Sequence, residues 1–544
     1  MPVAEKVRNV VSTSHTTMDK QVAPVVAWKP YERVLFRMAF IFFIAICIPN
    51  SLEWYRIVLN IHWTHLHYRD LYDIARFGSG INLFGNKLFG STLLGYANWI
   101  ITALVAIAGG LIWTFIVQRR KTERKEYRLL YYWLRVVVRY RAGIGIIGFG
   151  FTKLLPVQMP YPSLGLLNTN FGDFTAQKIY WLSIGIVPWY QVFAGVVEVL
   201  AGALLFFRRT TTPGALLLFG ALGDIVYVNF AYDGGVHVYS SYFVLLAAFL
   251  LVNDIPKLYN LLIRERYTVP VNFYPVFKEK WQRYARVALK TVTVFVFLVL
   301  LFYLQLINFL YDPYKQPSVA GVKQLRGNYA VTEFRINNQL IPYSPLDTVR
   351  WQEATFENWT TLTFRVNKPV PLDLSNGGGD PQRDINRTFE LTGVGGGQRV
   401  FHYAADTLNK VLYLQDKYKE IPDRRNRASG VGGDGGTDRN LDVQRNQQQV
   451  ALAGDFIPPE ALQHIGNEVD KIHPLAASTR RKREYAQAPK NEKRNRMILK
   501  YDTKDGSRVI LSGINENRDS IYVVLDRINR KYTLTESSLK AGKY

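Results

Sequence analysis

Cysteine is all but missing from this sequence. A single thiol, Cys47, among 544 residues excludes an intrachain disulfide, a CxxC thiol relay and a cysteine-ligated zinc or iron-sulfur site. Histidine is nearly as scarce, with eight residues, and no two stand on different apolar segments at matching depth, so no haem held by two imidazoles is expected. Acidic residues are outnumbered 43 to 67 by basic ones, for a formal charge of +24. That excess would suit nucleic acid if the basic runs stood free. Most of them flank apolar segments, where anionic headgroups and topology account for them, so the expected partner is a lipid bilayer and not nucleic acid. Phosphate-loop chemistry is missing too: the runs Gly377-Gly378-Gly379 and Gly395-Gly396-Gly397 lack the required Lys and Ser/Thr and read as turns.

What the chain has is apolar residue in blocks. Hydrophobic residues make up 48% and charged residues 20%, and the apolar ones gather at 34–50, 97–118, 129–156, 187–207, 213–231, 236–253 and 287–311. Most blocks are long enough to cross a hydrocarbon core of about 30 Å as helices. The pattern predicts an α-helical membrane bundle of about seven spans over 33–312, preceded by a polar tail over 1–32. Residues 51–96 form a loop whose path is left open, short amphipathic helices on the membrane surface being one course. Basic residues concentrate in alternate loops, at Arg119 to Arg128, Arg208-Arg209 and Lys257 to Lys290. By the positive-inside rule the N-terminus is cytoplasmic and residues 313–544 lie outside, which in a cell with two membranes means an inner-membrane protein with a periplasmic C-terminal domain.

Charges interrupt the apolar blocks. Arg135, Arg139 and Lys153 share one stripe with Gly143, Ile146 and Gly150 at three- and four-residue spacing. Helix rise puts Arg139 about 16 Å, and Glu198 and Asp224 each about 15 Å, from one edge of the membrane. An isolated charge at that depth costs at least roughly 2.5 to 3.5 kcal/mol, so mutual pairing is expected. Arg135, Arg139, Lys153, Glu198 and Asp224 are therefore the candidate polar core, either as a register-fixing ion network or as the lining of a ligand cavity. Glycines 143, 145, 148 and 150, with Gly195 and Gly202 around Glu198, permit close approach of a neighbouring helix or a flat ligand. Arg141 points away from the stripe.

Two smaller groups stand nearer the outer edge. His62, His65 and His67 form an H-x2-H-x-H run that could hold a metal, although Trp54, Tyr55, Trp63 and Tyr68 around it favour an ordinary interfacial aromatic belt. Asp233 and His237 are outer-face proton candidates, with a solvated loop histidine the plainer expectation.

Beyond residue 312 the periodicity changes to that of strands. Alternating runs occur at 329–336, 348–356, 359–366, 387–393, 399–404, 410–415, 497–501, 508–512, 520–527 and 531–535. Lys504-Asp505-Gly506-Ser507 is a hairpin signal. These runs predict an all-β, closed or nearly closed antiparallel barrel of lipocalin-like type, interrupted by mobile insertions near 424–449 and 474–496, with a helical piece at 458–472 between them. The barrel is either packed, or a cup or docking surface for a partner.

Residues 133–260 also resemble the DoxX-like family of small bacterial membrane proteins, and more closely its long Bacteroidota-type members. The resemblance rests on Trp133-Leu134-Arg135, Arg139-Tyr140, Gly148-Phe149-Gly150-Phe151-Thr152-Lys153, Phe193-Ala194-Gly195-Val196-Val197-Glu198, Phe206-Phe207-Arg208-Arg209-Thr210-Thr211-Thr212, Val228-Asn229-Phe230-Ala231-Tyr232-Asp233, Asp254 and Gly78-Ser79-Gly80. The family is similar, more distantly, to the membrane part of vitamin K-dependent carboxylases. His237 stands where those long members are expected to carry Lys, and Asp224 where they carry an amide. The resemblance implies a link to quinones, and the leading expectation is a quinone-linked redox subunit of the inner membrane in which Arg139 and Lys153 hold anionic or carbonyl oxygen and Glu198 and Asp224 handle protons. A non-catalytic envelope scaffold that recruits a membrane or periplasmic protein through the β domain is the alternative.

Overall fold

The computed structural model describes residues 27–77, 93–268, 273–374, 383–418, 456–477, 494–534 and 538–539. Its N-terminal region is helical. Helix α1 spans Pro30–Cys47, α2 Leu52–Leu59, α3 Tyr68–Ala75, α4 Ala97–Arg119 and α5 Arg128–Leu154. After a single turn, α6 (Leu164–Leu167), come α7 (Ala176–Gly185), α8 (Pro188–Leu205), α9 (Thr211–Ala231), α10 (His237–Val252) and α11 (Ile255–Leu262). The last long helix, α12, runs Lys280–Tyr311, with a π-helical turn at Phe295–Leu300.

Among the described residues four helices are long and apolar enough to cross a membrane: α4, α8, the Arg208–Ala231 segment that contains α9, and α12. The pair α10 and α11 makes a fifth if its 71° bend, at a break that includes Asn253 and Asp254, lies within one span. Helices α1 and α5, which the apolar pattern counts among seven, carry Glu32, Arg33 and Arg37, and Arg128, Arg135, Arg139, Arg141 and Lys153. Charge, not length, sets these two apart.

Glycine brings α5 and α8 together. A methyl group added at Gly195 would lie 2.2 Å from the Leu154 nitrogen, and one at Gly202 would lie 2.6 Å from Ile147. Only hydrogen side chains let the two backbones pack this closely. Gly148 faces a different neighbour, the ring of Tyr72, so the stripe serves two contacts. Residues 51–77 hold α2 and α3, and α3 is packed into the bundle, with Tyr68, Arg69, Leu71 and Tyr72 buried.

The C-terminal region is a closed barrel of eight antiparallel strands. These are β1 (Gly327–Ile336), β3 (Glu353–Phe356), β4 (Thr361–Arg365), β5 (Gln398–Asp406), β6 (Val411–Asp416), β7 (Arg496–Asp502), β8 (Arg508–Ile514) and β9 (Ser520–Ile528), with β9 returning to β1. A two-residue strand, β2 (Gln339–Leu340), hangs on the end of β1. Inward-facing Tyr329, Phe334, Phe356, Phe364, Phe401 and Tyr403 are almost fully buried and meet Leu362, Leu412, Leu499 and Leu525 in one core. Eight strands leave an interior that such side chains fill.

Two of the ten alternating runs do not become strands. Segment 387–393 forms turns at the end of the barrel that faces the helices, because Arg387 and Glu390 are drawn to ion partners there. Residues 531–534 are coil and bend. Likewise the region read as one insertion at 474–496 is ordered at both ends, as a turn at Pro474–Ala476 and as the first residue of β7. The helical piece is shorter than 458–472: Pro459–Ile465, then a turn at Val469–Lys471. Residues 377–379 and 424–449 lie outside the described residues.

Candidate functional site

The barrel and the helical region are joined by buried charges. Glu357, in the β3–β4 turn, accepts hydrogen bonds from the amides of Leu164 (3.0 Å) and Gly165 (2.7 Å) at the start of α6. Full burial pushes its carboxyl pKa up to about 7. Lys417 pairs with Glu390 at 2.9 Å, and Trp359 donates to the same carboxylate at 2.7 Å. The Lys178 ammonium on α7 donates to the Phe389 carbonyl, and burial lowers its pKa to about 7. Arg387 pairs with Asp312 at 2.6 Å, both side chains being nearly inaccessible, and donates to the carbonyls of Pro313 and Gln316. The short linker after α12 is therefore clamped by the barrel.

Beneath that linker lies a cavity of about 140 Å³. Its walls come from α3, α5, α8, α9 and α10, from Trp181 of α7, and from Tyr314 and Lys315 of the clamped linker. At its base Lys153 Nζ donates to both oxygens of Glu198, at 2.7 and 2.8 Å. Glu198 is 2% exposed. Around this pair stand two guanidiniums from the α3 region. Arg69 pairs with Asp73 at 3.0 Å and lies over the Tyr72 ring. Arg76 is caged by three rings, 5.6 Å from Tyr72, 5.6 Å from Phe149 and 5.5 Å from Tyr239. Lys315 rests 4.0 Å over Trp181. The buried Tyr239 hydroxyl, close to Arg141, makes no hydrogen bond of good geometry. Four cations, of which Lys153 pairs with Glu198 and Arg69 with Asp73, thus line the cavity together with several aromatic faces, a setting for an electron-rich or anionic oxygen on a flat group.

The structure divides the sequence-derived candidates. Lys153 and Glu198 meet in this cavity. Arg139 does not join them; it bonds Thr211 at 3.3 Å, near the opposite end of the bundle, and Arg135 sits nearby with Asp254 at 3.4 Å. The α5–α8 packing gives the reason: Gly150 lies against Glu198 and Gly143 against Phe206, so Glu198 stands about 16 Å along α5 from the level of Arg139, and the equal depth expected from the sequence does not hold. Asp224 lies on the open surface of α9 and pairs with no cation among the described residues. Arg141, as its spacing predicts, faces elsewhere, donating to the Ala75 carbonyl at 2.6 Å beneath Phe77 and Tyr242.

The histidines also separate. His62 and His65 are exposed, whereas His67 is buried and caps α3 by accepting the Arg69 amide. Among the described residues no group of three or more metal-binding side chains is assembled. His237 is not a solvated loop residue: it opens α10, buried between Phe230 (4.4 Å) and Tyr96 (5.6 Å), while Asp233 is exposed in a left-handed turn. Arg69, Arg76, Tyr239 and Lys315 are wall residues not singled out from sequence. The first two carry a signal, since Arg69, Tyr72 and Arg76 at three- and four-residue spacing share one helix face.

No family model and no solved structure matches the chain. Over 105 residues it is 31% identical to the uncharacterised protein YwoB of Bacillus subtilis (strain 168), a match that takes in 18% of this chain and 68% of that protein. By that match the chain belongs to the family of YwoB.

Proposed function

We propose that the chain is an integral membrane protein whose barrel-facing cavity binds the headgroup of a membrane-soluble quinone. The carrying observation is the buried Lys153–Glu198 pair set among aromatic rings and two guanidiniums. A quinone ring would lie against Tyr72, Phe149 and Tyr239, and Lys153 and Arg76 would donate to its oxygens. Glu198 is placed to take a proton from a bound quinol hydroxyl, with electrons passing to a redox partner. The resemblance to DoxX-like proteins agrees with this reading. The placement proposed with it is about seven spans in an inner membrane, the N-terminus cytoplasmic and the barrel periplasmic. In this reading the lipocalin-like barrel is a roof and a docking surface, since its interior is filled by its own side chains.

The scaffold alternative has one observation in its favour. The clamped joint at Arg387, Asp312 and Glu357 would make barrel and bundle a single rigid platform for recruiting a partner. Mass spectrometry of organic extracts from protein purified in native-lipid discs tests the choice. Quinone binding predicts one quinone per wild-type chain and its loss from folded Glu198→Gln protein; a platform predicts no quinone in either.

A further inference from the structure

At the end of the bundle away from the barrel, helix ends from α5, α9 and α11 enclose a second pocket of about 890 Å³. Arg128, Arg135, Arg139, Arg208, Arg209 and Lys257 line it, against one carboxylate, Asp254, among the lining residues. That carboxylate is already engaged by Lys257 (2.9 Å), Thr212 (2.9 Å) and Arg135 (3.4 Å), and Arg128 pairs with Glu126 at 2.7 Å. Arg139, Arg208 and Arg209 pair with no carboxylate among the described residues. Arg139 leaves its buried Nε without a hydrogen bond, and Arg208 lies 4.1 Å over Tyr274. Lys290 of α12 is close enough to Arg139 and Arg208 to be repelled by both. Like charges are thus gathered around open volume with too few anions to balance them. Apolar walls at Val136, Leu258, Leu261 and Phe273 adjoin them.

We infer that this pocket binds the phosphate-bearing headgroup of an anionic membrane lipid. Planar guanidiniums match phosphoryl oxygens bidentately, and the N-terminus of α9 at Thr211 adds a favourable dipole. The volume exceeds what a phosphate group alone fills, and the apolar walls suit the first carbons of an acyl chain. That combination favours a lipid over free phosphate. The site is separate from the quinone cavity, at the other end of α5, and stands without it.

The test uses the full chain in detergent, with native mass spectrometry and thermal denaturation. Added phosphatidylglycerol, phosphatidylcholine and inorganic pyrophosphate are compared on wild type, Arg139→Gln/Arg208→Gln, Arg209→Gln and a barrel-surface control, Lys500→Gln. The expected result is one phosphatidylglycerol retained per chain with a raised melting temperature, and phosphatidylcholine clearly weaker. Affinity should fall at least roughly tenfold in both arginine variants and stay unchanged in the control. Arg209 is exposed, so its variant keeps the test valid if the double variant folds poorly. Equal binding of the two lipids, or phosphatidylglycerol binding unchanged in Arg209→Gln and in folded double variant, would overturn the site. Stabilisation by pyrophosphate that phosphatidylglycerol does not match would overturn the lipid source.

Discussion

The two ends of α5 hold cations under opposite conditions. Near the barrel, Lys153 is matched to a buried carboxylate within a small cavity ringed by aromatic side chains. Away from it, Arg139 stands with other arginines around a larger space and has no carboxylate of its own among the described residues. A matched buried pair resists disturbance because removing either partner strands a charge. An unmatched cluster repels itself and gains from an anion brought from outside. One helix therefore carries a fixed site and a recruiting one.

The sharpest way to break this contrast is Glu198→Ala, which leaves Lys153 buried and uncompensated. It should lower stability by about 3–5 kcal/mol, measured by chemical denaturation in detergent. Next in size is Gly195→Ala, where the added methyl meets the α5 backbone. Separation of α5 from α8 should cost about 1–3 kcal/mol and open the cavity, readable as faster amide exchange around Glu198. Arg139→Gln should move stability by less than about 1 kcal/mol in lipid-free detergent, since it relieves repulsion as much as it removes a contact. A loss as large as that of Glu198→Ala would erase the distinction between the two ends.

A pH series sharpens the comparison at the joint above the cavity. The folded state holds the Glu357 carboxyl near pH 7, above its ordinary value of 4.5. Folded protein thus binds more protons than unfolded protein between those values, so this group's contribution falls as pH rises from about 4.5 to about 7 and is level above. Glu357→Gln should flatten that part of a melting-temperature profile. The smallest effect is expected from Asp224→Asn, within about 0.5 kcal/mol, because the side chain lies on the open face of α9 without an ion partner among the described residues.

Much of this architecture is legible in the sequence, and the exceptions share a cause. Long apolar blocks mark α4, α8, α9 and α12 directly, and period-two runs mark the eight barrel strands. Spacing along α5 also identifies the polar stripe. What spacing leaves undetermined is the register of one helix on another: counting from the basic loops puts Arg139 and Glu198 at equal depth, yet Glu198 packs beside Gly150, where Lys153 meets it, while Arg139 lies near Thr211. Segment 387–393 alternates like a strand, but its Arg387 and Glu390 serve the joint, a tertiary demand that local pattern does not contain. Helix α3 is too short for an apolar run, so its place as a cavity wall emerges only from packing. His237 sits at the edge of an apolar block, and the aromatic rings that bury it come partly from Tyr96, distant in sequence.

Exchange of the ion pair for an apolar one tests the cavity's role most directly. Lys153→Met/Glu198→Leu removes both charges together, and a well-packed replacement of a buried pair is often neutral for stability. Bound quinone per folded chain is then measured in native-lipid discs. The account predicts a double variant as stable as wild type that has lost its quinone; a stable double variant with quinone undiminished would contradict it.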